Sequence, residues 1–226
     1  YTAFCKHYRS FAGQLKRSMR QVHQAGEKLF ADYAGPMVPI IDAVTGEVSS
    51  ASIFVGVLGA SSYTFACATA GQTQADWLFG IEQCLRFIGG VPALIVPDNP
   101  KALVTKADRY DPELSQGAQE FALHYDTVIL PARPGKPQDK AKVEVGVQIV
   151  ERWILARLRH RQFFSLVELN AAIAELLPEL NDRAFKRLPG NRRSAFEALD
   201  ASYLKPLNPR RYELAQWRSE EHTSEL

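Results

Sequence analysis

Between Trp77 and Ile88 apolar residues fall at 77, 78, 81, 85 and 88, the spacing of one helical face. Thr73 stands ahead of this stripe as a cap, and Gly89-Gly90 follows it as a stop. A second helical stripe, Val143, Val147, Val150 and Ile154, belongs to a helix expected from about Gln138 to Arg161. "SLVELNAAIAELLPELN" gives a third, with Ser165 as its cap, and "RSAFEALD" a short one after it. "PELSQGAQEFALHY" reads as a further helix. Trp77 and Trp153 both fall at core positions.

Strand signals fill the gaps. "MVPIIDAVTGEVSSASIFVGVLGAS" is a hairpin with a Thr45-Gly46 turn between β-rich arms. "KLFADYAG" is a short apolar run interrupted by Asp32, and "SYTFACATAG" is a strand ending at Gly71. "VPALIVPDN" is a buried-strand pattern closed by a Pro-Asp-Asn turn, and "TVILPARPG" is a short strand. Early strands in succession fit an antiparallel meander, whereas strands separated by helices fit parallel crossovers. The pattern predicts an α/β fold: a mixed five-stranded sheet with helices on both faces, followed by a helical extension. Boundaries fall at 1–26 (a basic lead-in), 27–161 (the core), 162–217 (a helical basic extension) and 218–226.

Composition narrows the class. With 46% hydrophobic and 23% charged residues, the chain can bury a core. Its longest apolar runs are too short to span a bilayer, and no secretory signal opens it. Three scattered cysteines without a CxxC pair suggest neither a disulfide framework nor a zinc site, and point to the cytoplasm. There is no P-loop and no GxGxxG. The start at Tyr1 without Met suggests a fragment, and the tail "RSEEHTSEL" resembles translated sequencing adapter more than protein.

The net charge of +2 hides segregation. Residues 1–26 hold five Lys/Arg and no acid, residues 27–130 hold five basic and twelve acidic residues, and residues 131–217 hold sixteen basic and ten acidic. An acidic centre between basic flanks suits a polyanion-binding protein with a metal-dependent site.

Three acids stand out within that centre and its border. Asp32 interrupts an apolar strand, where aspartate is depleted. Asp98 ends the most apolar strand, at the carboxyl edge where α/β sheets place ligands. Glu144 lies where a basic loop becomes a helix. Singly, each has an ordinary explanation: a core hydrogen bond for Asp32, an Asx turn for Asp98, an ion pair with Lys140 for Glu144.

Together, in this order and on these elements, the acids resemble the RNase H-like catalytic core of D-D-E transposases and retroviral integrases. Longer blocks, "GEKLFADYAG", "IFVGVLGASSYTFA", "GGVPALIVPDN", "HYDTVILPARPGKPQDKAKVE" and "VERWILARLR", are similar to the IstA-type insertion-sequence transposases. The resemblance covers roughly residues 1–217 and departs locally at "PDNPKALV", where Pro100, Ala102 and Leu103 replace the usual leucine, serine and glycine. It implies that Asp32, Asp98 and Glu144 are a catalytic, metal-binding triad. It further implies 3′-end cleavage and strand transfer of insertion-sequence DNA, a homo-oligomer on DNA, and a separate AAA+ helper ATPase.

The chemistry agrees with the residue types. Clustered carboxylates repel one another, and a cation relieves them; all-oxygen ligation favours Mg²⁺ or Mn²⁺. A pair of such ions suits in-line phosphoryl displacement without a covalent intermediate. Arg133, Lys136, Lys140 and Lys142 border Glu144 and are expected to hold phosphates, as are Arg152 further along the helix and Arg192 and Arg193 in a second cluster. His124 and Tyr125 suit either the cleft or the core. Two rivals remain at this level: an RNase H-like nuclease that cuts without joining, and an inactive DNA-binding remnant.

Overall fold

The computed structural model describes residues 1–14, 22–98, 101–106, 113–132 and 141–215, and the first of these segments forms α1 (Thr2–Gln14). Its centre is a mixed sheet built around β1 (Lys28–Tyr33). On one side β1 pairs antiparallel with β3 (Val48–Leu58), and on the other it pairs parallel with β5 (Leu94–Pro97). β4 (Thr64–Thr69) forms the antiparallel edge beyond β3, and β8 (Val128–Ile129) pairs parallel beyond β5.

The sheet has six strands where five were expected, because the first arm of the expected hairpin is a strand of its own. β2 (Val38–Ile41) pairs with the first residues of β3, along the same side that β1 occupies further on. It continues the line of β1 after an interruption at Gly35-Pro36, and proline cannot donate to a ladder. The hairpin turn between β2 and β3 is held by Asp42, whose side chain accepts the N–H groups of Val44 and Thr45, with Gly46 at φ +73°. A separate two-stranded sheet joins β6 (Val104–Lys106) and β7 (Glu113–Leu114).

Period-two alternation in β1 sends Leu29, Ala31 and Tyr33 to one face and Phe30 and Asp32 to the other. The first face is covered by α2 (Gln74–Ile88), which has the expected Thr73 cap in a capping box with Asp76, and ends on Gly89 at φ +72°. There Tyr33, Phe54 and Trp77 meet edge to face, with centroids 4.8–6.0 Å apart. Gly80 lets α2 approach closely, since a Cβ would stand 2.6 Å from Phe54. Cys67 and Cys84 are buried; burial pushes the Cys67 thiol up to about 12 and that of Cys84 well above its ordinary value. Neither is a nucleophile at neutral pH.

The second face is covered by α4 (Ala141–Val150), which runs on through a π turn (Glu151–Leu155) into α5 (Ala156–Leu158). Val143, Val150 and Ile154 of the expected stripe are buried and Val147 is half-buried. Trp77 is core as expected. Trp153 is only half-buried and carries the Arg183 guanidinium over its ring, 3.4 Å from the centroid.

α6 (Leu166–Asp182) seals the β4 edge. The Asn170 side chain accepts from Ala68 N–H and donates to Ala68 C=O, and Asn181 does the same for Thr64. Backbone groups that would template another strand are thereby satisfied. The chain then passes α7 (Arg192–Ala195) and returns to the sheet. Buried Asp200 accepts the N–H groups of Gly26 (2.7 Å) and Ser61 (3.0 Å), tying the approach to β1 to the β3–β4 turn. Further on, Tyr212 packs on Phe121 of α3 (Gln116–His124). Tyr125 is core, and His124 Nε2 meets the Arg210 carbonyl, so both belong to this packing. Among the described residues no helix is long and apolar enough to cross a membrane.

Candidate active site

Asp32 is the penultimate residue of β1, and Asp98 directly follows β5. Their register runs from Lys28 with Leu94 to Ala31 with Pro97, and the next backbone N–H, that of Asp98, donates to the Ala31 carbonyl at 3.1 Å. Asp32 and Asp98 are therefore neighbours across the strand boundary, with backbones about 4.8 Å apart. Asp32 shares its face with Phe30, and Asp98 shares its face with Val96. Phe30 and Val96 are packed with Ala132 and with Val143 of α4. Both carboxylates thus lie on the α4 side of the sheet, just beyond an apolar cluster, and both residues are half-buried. The carboxylate of Asp32 also accepts the N–H of Tyr33 at 2.8 Å, which fixes its orientation.

Glu144 follows Val143 on α4 and is exposed. Two contacts set the helix. Val143 sits against Phe30 and Val96, and Gly146 lies so close to Val57 that a Cβ would be 2.3 Å from a Val57 methyl. At 100° per residue this leaves Glu144 on the flank toward β5, the side of Asp98, but pointing to solvent. Among the described residues no three His, Cys, Asp or Glu side chains are gathered as a metal site. The resemblance implied one cluster of three; the strand register makes Asp32 and Asp98 neighbours, and Glu144 stands exposed on α4. Glu151 lies about two turns further along the same flank.

The aspartate pair still fits a hard divalent cation. Its donors are oxygen only, they share one face, and they occupy adjacent positions at the strand ends.

The basic residues divide. Arg133, Lys136 and Lys140 lie outside the described residues. Arg152 is exposed on the π turn. Arg193 pairs with Asp182, and Arg157 pairs with Glu179. Lys142, expected to border Glu144, lies on the opposite flank of α4, because two residues turn a helix by about 200°. There it lines a cleft of about 480 Å³ together with His23, Val57, Ile149, Phe185 and Arg192. His23 carried no signal in the sequence beyond its place in the basic lead-in; only the fold brings it to Lys142 and Arg192.

A layered sheet of this order with two aspartates at its central strand ends defines an RNase H-like core of the integrase type. Solved structures agree on the fold. A catalytic core domain of HTLV-2 integrase in complex with magnesium matches with a TM-score of 0.51 over 77% of this chain and 99% of that one, at 16% identity. A simian T-cell lymphotropic virus intasome chain matches with a TM-score of 0.59 over 89% of this chain and 61% of that one, at 13% identity.

In sequence the chain belongs with the insertion-sequence transposases. It is 62% identical over 218 residues to the "Putative transposase for insertion sequence IS408" of Burkholderia multivorans, covering 96% of this chain and 42% of that protein. The corresponding protein for IS1162 of Pseudomonas fluorescens is 60% identical over 96% of this chain and 39% of its own length. The "Transposase for insertion sequence element IS21" of Pseudomonas aeruginosa is 26% identical over 73% of this chain and 42% of its length. The chain thus spans about two fifths of the relatives it matches. No family model matches it.

Proposed function

We propose that this chain is the catalytic core of an insertion-sequence transposase, which cuts element DNA at its 3′ ends and joins those ends to target DNA. The observation that carries this reading is the placement of Asp32 and Asp98 side by side at the ends of two parallel strands.

Asp32 and Asp98 would hold Mg²⁺ or Mn²⁺, with Glu144 as third ligand. Bound there, two such ions would supply activation of the attacking oxygen and stabilisation of the leaving one. The chain's own part is positional. The register of β1 with β5 fixes the spacing of the aspartates, and the Tyr33 N–H orients Asp32. The apolar cluster of Phe30, Val96 and Val143 shields the inner side of the site, so reactants approach from the strand ends. Arg133, Lys136, Lys140 and Arg152 would hold backbone phosphates by charge. Arg193 would contribute only on leaving Asp182.

As part of a larger transposase, the chain would work as a homo-oligomer on DNA ends in the bacterial cytoplasm, with a AAA+ helper ATPase. The test is incubation of the intact transposase with a labelled duplex carrying the element end, target plasmid and Mg²⁺. The account requires both a shortened 3′ end and a joined product, each lost in Asp32→Asn. Cutting without joining would make the protein a nuclease, and no product of either kind would make it an inactive remnant.

A further inference from the structure

The flank of α4 turned away from the aspartates carries its own concentration of charge. The cleft of about 480 Å³ opens there. His23 reaches it from the lead-in to β1, Lys142 from the first turn of α4, and Arg192 from the start of α7. Two of these groups present a nitrogen that nothing among the described residues satisfies: His23 Nδ1 and Arg192 Nε are buried without a hydrogen-bond partner. Turning either side chain toward the cleft would pair its nitrogen with a ligand there.

The basic groups also lie close enough to disfavour one another's charge. Burial, then Lys142 and Lys28, push the His23 imidazole down, with Glu27 opposing. Burial, and then Arg183, lower Arg192. The nearby acids are engaged elsewhere, Asp200 by two backbone N–H groups and Glu27 by Lys28. This set of basic groups suits an anion. Val145, Ile149, Phe185 and Leu188 give the cleft apolar walls beside its basic groups, which suits a phosphate flanked by the C–H faces of deoxyribose.

We propose that this cleft is a second phosphate site, in which Lys142, Arg192 and His23 hold the backbone of a DNA strand on the far side of α4 from the reacting one. The proposal rests on the reading of the chain as a DNA-acting core. With α4 between the two sites, a nucleotide held here is not the one that meets the aspartates. It is a tether for other DNA in the same complex.

The test is binding of a fluorescein-labelled duplex to this chain in EDTA, where the aspartate site holds no metal, measured across salt concentrations. Lys142→Gln should weaken binding about tenfold and lower the slope of log affinity against log salt by about 0.9, the share of one phosphate contact. Lys142→Arg should restore that slope, and His23→Gln should weaken binding severalfold. Wild-type affinity and slope in both Lys142→Gln and His23→Gln would overturn the proposal. So would a second pattern, in which inorganic phosphate raises the melting temperature of wild type but not of Lys142→Gln while duplex affinity is unchanged; the cleft would then take free phosphate. Failure of the underlying reading shows elsewhere, as metal-dependent cutting that survives Asp32→Asn.

Discussion

Asp98 stands directly beside Asp32, because its backbone N–H donates to the carbonyl of Ala31 at 3.1 Å and so extends the register of two parallel strands by one residue. The spacing of the two carboxylates is therefore a property of the sheet, not of a loop. Asp98→Asn keeps size and hydrogen-bonding capacity but removes the charge that a divalent ion needs. It should lower Mg²⁺-dependent cutting by about 10³-fold, the equivalent of about 4 kcal/mol of lost metal stabilisation. Melting by circular dichroism should match wild type; a folded variant with more than a tenth of the activity would remove Asp98 from the site.

Glu144 and Glu151 share a flank of one helix, but only Glu144 lies on the turn whose neighbour Val143 packs beside the aspartates. Glu144→Gln should abolish strand joining, while Glu151→Gln should leave it within about threefold of wild type. The reverse pattern in a single-turnover joining assay would move the third ligand to Glu151.

Asn181 is fully buried and satisfies both backbone groups of Thr64 on the edge strand. Asn181→Ala strands a buried N–H and a buried C=O, at about 2–5 kcal/mol. Asn170→Ala, part-buried at Ala68, should cost about 1 kcal/mol. Urea denaturation measures both, and equal small losses would show that α6 seals the edge by packing alone.

His23 titrates below its ordinary value of 6.5 because burial, Lys142 and Lys28 oppose its charge, with Glu27 acting the other way. Between the folded and unfolded values the unfolded chain binds more protons, so this contribution to stability rises with pH. It is complete above about pH 6.5 and is lost as the pH falls through the folded value. In the absence of DNA, the melting temperature should therefore decline from pH 7 toward pH 5 with a steeper slope in wild type than in His23→Gln. Parallel slopes would mean that His23 is not held neutral by its surroundings.

Much of this was legible in the sequence because the elements carrying the site have strong local signals. The Thr73 cap, the Gly89 stop and the stripe from Trp77 to Ile88 specify α2, and the Val143–Ile154 stripe specifies the face of α4. Asp32 was visible because aspartate is anomalous in an apolar strand, and Asp98 because it closes one. β2 was legible as the first arm of the hairpin; that it resumes the line of β1 was not, because Gly35-Pro36 interrupts that line. The exposure of Glu144 was hidden for a different reason. The contacts of Val143 and Gly146 decide how α4 is rotated, and their partners Phe30, Val96 and Val57 lie far away in sequence. The same rotation carries Lys142 to the opposite flank, and no sequence pattern linked His23 to it.

The central claim is that Asp32 and Asp98 form one site for a divalent ion, and titration of this chain with Mn²⁺, followed by the loss of free-ion paramagnetic resonance, tests it most directly. The account predicts saturable binding in wild type that is lost in both Asp32→Asn and Asp98→Asn, and retained in Asp126→Asn, whose aspartate pairs with Lys205 far from the site. Binding that survives in either strand-end variant would contradict it.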